Sequence, residues 1–217
     1  MANKPLVPTR IGEAPLLAAQ RRRWATYTEL NMKIAKTLYV PDRKAWRDWL
    51  KKHNKNEKEI WLVYYRKQSG KPRIAYNDAV EEALCFGWID SIVKKLDADR
   101  FAQRFSPRKP KSGYSQPNKE RLHRLIKRSK VMKDVLVNLG DIATDEFRIP
   151  PDILKALKAN AQAWKNFQSY SAPYQRIRVA FIDSARHRPE EFKKRLGHFL
   201  RMTEQNKQFG FGIETYF

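Results

Sequence analysis

The chain has 217 residues, 41% of them apolar and 12% aromatic, enough for one packed domain of ordinary size with a smaller one beside it. Its 45 Lys and Arg against 23 Asp and Glu give a net charge of +22, which favours nucleic acid, acidic lipid headgroups or acidic proteins as partners and leaves the fold open. A single cysteine, Cys85, excludes a disulfide framework, and no apolar run approaches the ~20 residues that cross a bilayer. The apolar run 14–19 is bracketed by Arg10 and Glu13 on one side and Arg21, Arg22 and Arg23 on the other, unlike an export signal, so the expected location is the cytoplasm.

Residues 1–40 open with Pro5, Pro8, Gly12 and Pro15 and then show a weak helical period from Gln20 to Lys36; they read as an arm, partly helical at most. Asp42 then suits an N-cap, and Trp46, Trp49 and Leu50 share one face of a helix ending near His53. The run 60–65, IWLVYY, is β-branched and aromatic, bounded by Ser69-Gly70 and Pro72, and predicts a strand. Asn77-Asp78 predicts a cap for a helix over 79–86 that Gly87 closes in the left-handed conformation. Residues 88–96 and 101–105 predict a hairpin around the turn Asp97-Ala98-Asp99. Pro107, Pro110, Gly113 and Pro117 break the next stretch into a loop, after which Asn118 predicts the cap of a helix over 119–128 with Leu122, Leu125 and Ile126 on its apolar side. Four helices follow, over 151–160, 162–168, 173–187 and 189–205, each opened by proline or a small polar residue. The expected architecture is α+β: a small antiparallel sheet with flanking helices in a basic domain over 41–140, then an all-helical module over 141–217.

Charge is concentrated in the middle. Residues 100–130 hold eleven Lys or Arg against one acid, Glu120, so this seventh of the chain carries +10. Arg104, Arg108, Lys109, Lys111, Ser112, Ser115 and Asn118 place guanidinium forks and hydroxyl or amide donors ahead of a helix start, a pattern suited to phosphate or carboxylate. Tyr114 can stack on a base or sugar, and Ser106-Pro107-Arg108-Lys109 has the form of short basic turns that enter the DNA minor groove. Along the helix, Lys119, Arg121, Arg124, Lys127 and Arg128 oppose the apolar stripe. The competing reading is a solvated basic loop whose arginines are taken by nearby acids and backbone carbonyls.

Upstream, Glu81, Glu82 and Asp90 are carboxylates that either do acid and base work or simply balance the surrounding cations, Asp90 pairing with Arg104 or Arg108 across the hairpin. The four histidines, His53, His123, His187 and His198, are far apart and no metal-ligand spacing is present, so neither metal nor cofactor is expected. Cys85, between Leu84 and Phe86, reads as a small core residue rather than a nucleophile.

The motifs ALCFGWID (83–90), KKLD (94–97), RFSPRKPKS (104–112) and NKERLHRLI (118–126), with WLVYYRK and YNDAVEEAL upstream, resemble the YdeI/OmpD-associated family of bacterial proteins, also labelled bacteriocin-protection proteins. The resemblance runs over about residues 42–215. In its C-terminal part Ser171-Ala172-Pro173 and Arg188-Pro189 occupy the breaks that precede the family's last helices. Residues 1–40 lie outside it, and the ending FGIETYF departs from it. It implies a link to an outer-membrane porin and to tolerance of bacteriocins or cationic peptides, and it brings no catalytic residues. The first expectation is therefore a non-enzymatic protein that binds an anionic ligand or partner through residues 100–130, with Trp88, Asp90, Glu82 and Arg121 beside that surface. The alternatives are a nucleic-acid-binding protein and an enzyme for a small anionic metabolite, with Glu82 or Asp90 as base and Arg104 as anion clamp. The helical module offers a surface for a homodimer.

Overall fold

Asp42 starts the first helix as its position suggests: its carboxylate accepts from the Ala45 amide at 2.8 Å, meeting one of the donors a helix start leaves open. In the computed structural model, which describes residues 34–217 apart from 110, 111 and 144–146, this helix, α1, is Arg43–His53 and buries Trp46 and Leu50. Ahead of it lies a short strand β1, Thr37–Tyr39, and after it strand β2, Ile60–Tyr65. The two run parallel, from Thr37 opposite Trp61 to Tyr39 opposite Val63. The sequence pattern places 37–39 in the arm, because three residues carry too little alternation to mark a strand. Most of the helix expected over 20–36 lies outside the described residues.

Helix α2, Tyr76–Cys85, begins before the expected Asn77-Asp78 cap; its cap position is Ala75, which gives no side-chain bond, and Asp78 instead receives Arg43 at 2.8 Å. Gly87 closes the turn with φ +72, where a Cβ would be strained. Strands β3, Trp88–Lys95, and β4, Arg100–Pro107, form the expected hairpin, and Asp97 Oδ1 holds its turn by accepting from the amides of Asp99 and Arg100. The sheet order is β1-β2-β4-β3, antiparallel except at the β1 edge, with a bulge in β3 between Asp90 and Val93.

Helix α3, Gln116–Lys127, carries the centre of the basic segment, and a short α4, Lys133–Val137, follows it. Among the described residues, the remaining α-helices are α5, Pro151–Lys158, α6, Ala161–Ser169, α7, Ala172–Asp183, and α8, Pro189–Glu204. Proline occupies the first or second position of α3, α5, α7 and α8, where the missing amide proton costs nothing.

Two apolar clusters organise Lys36–Phe217, which fold as one compact unit. The first is built on Trp46, Leu62, Leu84, Trp88, Phe105 and Leu122, the second on Ile153, Phe167, Tyr174, Ile182 and Phe199. Each fully buried side chain of this size contributes roughly 2–3 kcal/mol by leaving water. The chain end joins them. Ile213 and Tyr216 pack into the second cluster, while Phe211 lies 5.3 Å from the Tyr76 ring of the first and remains exposed. Two further bonds fix the tail, Arg121 donating to the Gly212 carbonyl and the Ser171 hydroxyl to the carbonyl of Tyr216.

Candidate anion-binding site

Strand alternation decides where the first arginine points. Arg104 sits opposite Trp61, and its Nε and Nη2 reach the Glu59 carboxylate at 2.8 and 2.7 Å. Asp90 sits opposite Phe105 and takes Gln103 Nε2 at 2.7 Å. Because Arg104 is one residue away from both Phe105 and Gln103, it projects from the other side of the sheet. The expected pairing of Asp90 with Arg104 does not form, and with it goes the arrangement of Asp90 as base and Arg104 as clamp.

Arg108 closes its own loop. Its guanidinium lies 3.7 Å from the Tyr114 ring centroid, and Nη2 donates to the carbonyls of Ser112 and Gly113 at 3.0 and 2.9 Å and to Ser112 Oγ at 3.1 Å. Ser112 Oγ donates in turn to the Lys109 carbonyl at 2.8 Å, while the Lys109 side chain is exposed. Lys111 lies outside the described residues. Ser115, exposed, occupies the cap position of α3 without a side-chain bond, so the first turn of that helix is uncapped.

Asn118, expected as the cap, is inside the first turn and accepts from Arg121 Nη1 at 2.9 Å. Arg121 also reaches Asn77 Oδ1 at 2.9 Å and the Gly212 carbonyl at 2.5 Å and is 5% exposed. It is a strut between α3, α2 and the tail rather than part of an outer basic face. Arg124, also expected on that face, pairs with Glu81.

The acidic residues are clamped. Glu82, 3% exposed, receives Arg43 Nε and Arg47 Nη1, each at 2.5 Å, and Glu81 receives Arg43 Nη1 at 3.1 Å. Burial opposes the charge on Arg43, but hydrogen bonding and attraction from Glu82, with Glu81 and Asp78 beyond, hold it above the ordinary arginine range. Asp90 is pushed up by burial, against the Tyr76 hydroxyl that donates to it at 3.3 Å and the more distant Arg121 charge. Trp88 is buried, its indole donating to the Asn54 carbonyl at 3.1 Å. Cys85 is buried as well, and its thiol is pushed up to about 11 by burial and by Glu82. Among the described residues no group of three or more His, Cys, Asp or Glu is placed to hold a metal ion.

One side of α3 remains open, and it forms a cleft with α7. The cleft measures about 420 Å³ and is lined by Gln116, Lys119 and His123 of α3, Ala172, Gln175 and Arg176 of α7, and Phe147 and Ile149 of the connecting segment. Gln116, Lys119 and His123 share a face of α3 at spacings of three and four. Behind the wall, Arg176 grips Glu120 with Nε and Nη2 at 2.7 Å each, and Gln116 donates to the same carboxylate at 2.7 Å. His123 Nε2 donates to the Ile142 carbonyl, which fixes the ring. The described lining holds two permanent cations, a histidine, two amides and an apolar floor, without a carboxylate.

Sequence reasoning found Lys119 as a surface cation and missed His123, Gln175 and Arg176 as its neighbours. The α3 half was legible from helical spacing, but Arg176 is 56 residues from Glu120, and no local pattern marks that contact.

Two family models match the chain. Residues 38–137 match a domain of unknown function (DUF8412). Residues 146–206 match the family described as bacteriocin-protection, YdeI or OmpD-associated. The motifs of 83–126 that carry much of the resemblance therefore fall under the first model, and the named family covers the helical part alone. No curated protein and no solved structure matches the chain. The cleft lies where the two matched regions meet, α3 on one side, within the 38–137 match, and α7 on the other, within the match to the bacteriocin-protection, YdeI or OmpD-associated family model over 146–206.

Proposed function

We propose that the chain is a non-enzymatic binding protein that takes an anionic ligand through α3 of the basic segment, in the cleft that α3 forms with α7. The observation that carries this reading is the makeup of that cleft, which Lys119 and Arg176 line together with Phe147 and Ile149, while the acid that Arg176 holds, Glu120, is not among the described lining residues. The ligand it suits joins a carboxylate, sulfonate or phosphate to a flat apolar body. A net charge of +22 adds long-range attraction that raises the rate of encounter more than the affinity. If the protein shares in the bacteriocin protection named for the family of its 146–206 region, the same charge argues against sequestering a cationic peptide. Protection then acts through an anionic target or partner.

The reading is tested with 8-anilinonaphthalene-1-sulfonate, whose fluorescence reports binding, beside its uncharged analogue N-phenyl-1-naphthylamine. The sulfonate should bind the folded chain more tightly. Lys119→Met should weaken the sulfonate about tenfold, one charge-assisted contact, and leave the neutral analogue unchanged. Equal affinity for both dyes, or a Lys119→Met variant that binds the sulfonate as well as the parent, would contradict it. Nucleic acid has a different signature, an affinity falling steeply with salt at a slope near −0.9 per neutralised phosphate.

A further inference from the structure

Arg178, on α7, differs from the other buried arginine among the described residues. Arg121 has three acceptors for its guanidinium, whereas Arg178, 6% exposed, has none among the described residues. Its Nε is sealed from solvent without a hydrogen-bond partner, and no carboxylate or carbonyl of the described residues meets the rest of the group. Aromatic rings surround it instead: Phe209 at 3.8 Å from its central carbon, Phe181 at 5.1 Å and Phe199 at 5.8 Å. Ring faces attract the cation but accept no N–H in the plane of the guanidinium.

The neighbourhood adds charge of the same sign. His198 of α8 meets the Phe209 ring at 4.8 Å and is pushed below its ordinary value by burial and by the charges of Arg201 and Arg178. Arg195 pairs with Glu191 at 2.9 Å, but among the described residues no acid is paired with Arg178 or Arg201. Burial pushes Arg178 down to about 10, the Arg195 charge adding to the effect against Tyr174. A buried cation with unmet donors is expensive, and a bound anion removes that expense.

We propose that Arg178 anchors a second anion site, for a small oxyanion, with His198 and Arg201 at its rim. Held against Phe209, the guanidinium keeps a fixed plane, so its N–H edge meets two oxygens of one carboxylate or phosphate group in parallel. The site shares no residue with the cleft of α3 and α7, and it lies within the family-matched region 146–206.

Thermal unfolding of the full chain in inorganic phosphate, in acetate and in chloride, at equal ionic strength, tests it. At least one oxyanion should raise Tm by about 3 °C over chloride, phosphate if the site takes a tetrahedral group and acetate if it takes a planar one. Arg178→Met should abolish that increment. Arg201→Gln, at an exposed position that leaves the fold alone, should weaken the oxyanion several-fold by calorimetric titration and keeps the test decisive if the first variant does not fold. Ala172→Trp, which fills the other cleft, should leave the increment intact and so separates this site from the proposed function. Equal Tm in all three salts overturns the site, as does an increment that survives in Arg178→Met or an affinity unchanged in Arg201→Gln.

Discussion

At the scale of single residues, acids clustered among many bases act here as counterions. Glu82 binds two guanidiniums at 2.5 Å while itself 3% exposed, so its removal takes from Arg47 the acid it holds and leaves Arg43 to Asp78 and Glu81. Glu82→Ala should therefore cost about 3 kcal/mol in urea unfolding, the lower end for a broken buried pair because both arginines retain some contact with water. Arg104→Ala, which breaks the more accessible pair with Glu59, should cost about 1 kcal/mol by the same measurement. Asp90 behaves in the opposite sense. Its folded-state pKa lies above the ordinary 3.8, so over that interval the folded chain keeps a proton the unfolded chain has released, and stability falls as pH rises through it. Asp90→Asn removes this dependence while keeping an acceptor for Gln103. Its unfolding free energy relative to the parent should thus improve from about pH 3.5 to pH 7, and a difference that stays flat or shrinks would place Asp90 in an ordinary solvated environment.

At the scale of elements, legibility followed the range of the contacts. Strand β2 was readable because IWLVYY is apolar and β-branched throughout and ends near a glycine-proline break, and α1 because a capping aspartate precedes a spaced Trp-Trp-Leu face. The start of α2 was misplaced: Asn77 and Asp78 look like caps, but their side chains are used by Arg121 and Arg43 from other elements. The same competition moved the start of α3, where Asn118 serves Arg121. Strand β1 and the docked tail depend on partners far along the chain, which a window of sequence does not contain. The tail also shows what its glycines do. Gly212 has φ +76, and a Cβ there would lie 3.0 Å from the Tyr76 ring and 3.3 Å from Asn77 Oδ1. Gly212→Val should undock the tail and cost about 2 kcal/mol, with Arg121 losing its shortest contact; thermal unfolding equal to the parent would show that the tail contributes nothing.

At the scale of the whole molecule, the charge that dominates the sequence is spent unevenly. Arg43, Arg47, Arg104, Arg124 and Arg176 hold acids, and Arg108 and Arg121 hold backbone and amide oxygens, so much of the apparent binding face is internal scaffold. What is left open to a ligand is a cleft that takes α3 from one matched region and α7 from the other, lined by Lys119 and by Arg176, which holds Glu120 as well. The sequence located the helix but not the cleft, because half of its wall is supplied from some fifty residues further on. Filling that cleft tests the account most directly. Ala172 is exposed at the first position of α7, so Ala172→Trp adds bulk without disturbing either apolar cluster or the Arg176–Glu120 pair. Titrated with 8-anilinonaphthalene-1-sulfonate at unchanged Tm, the variant should lose the anion at least tenfold. A variant that binds the dye as tightly as the parent would contradict the assignment of the site to the cleft.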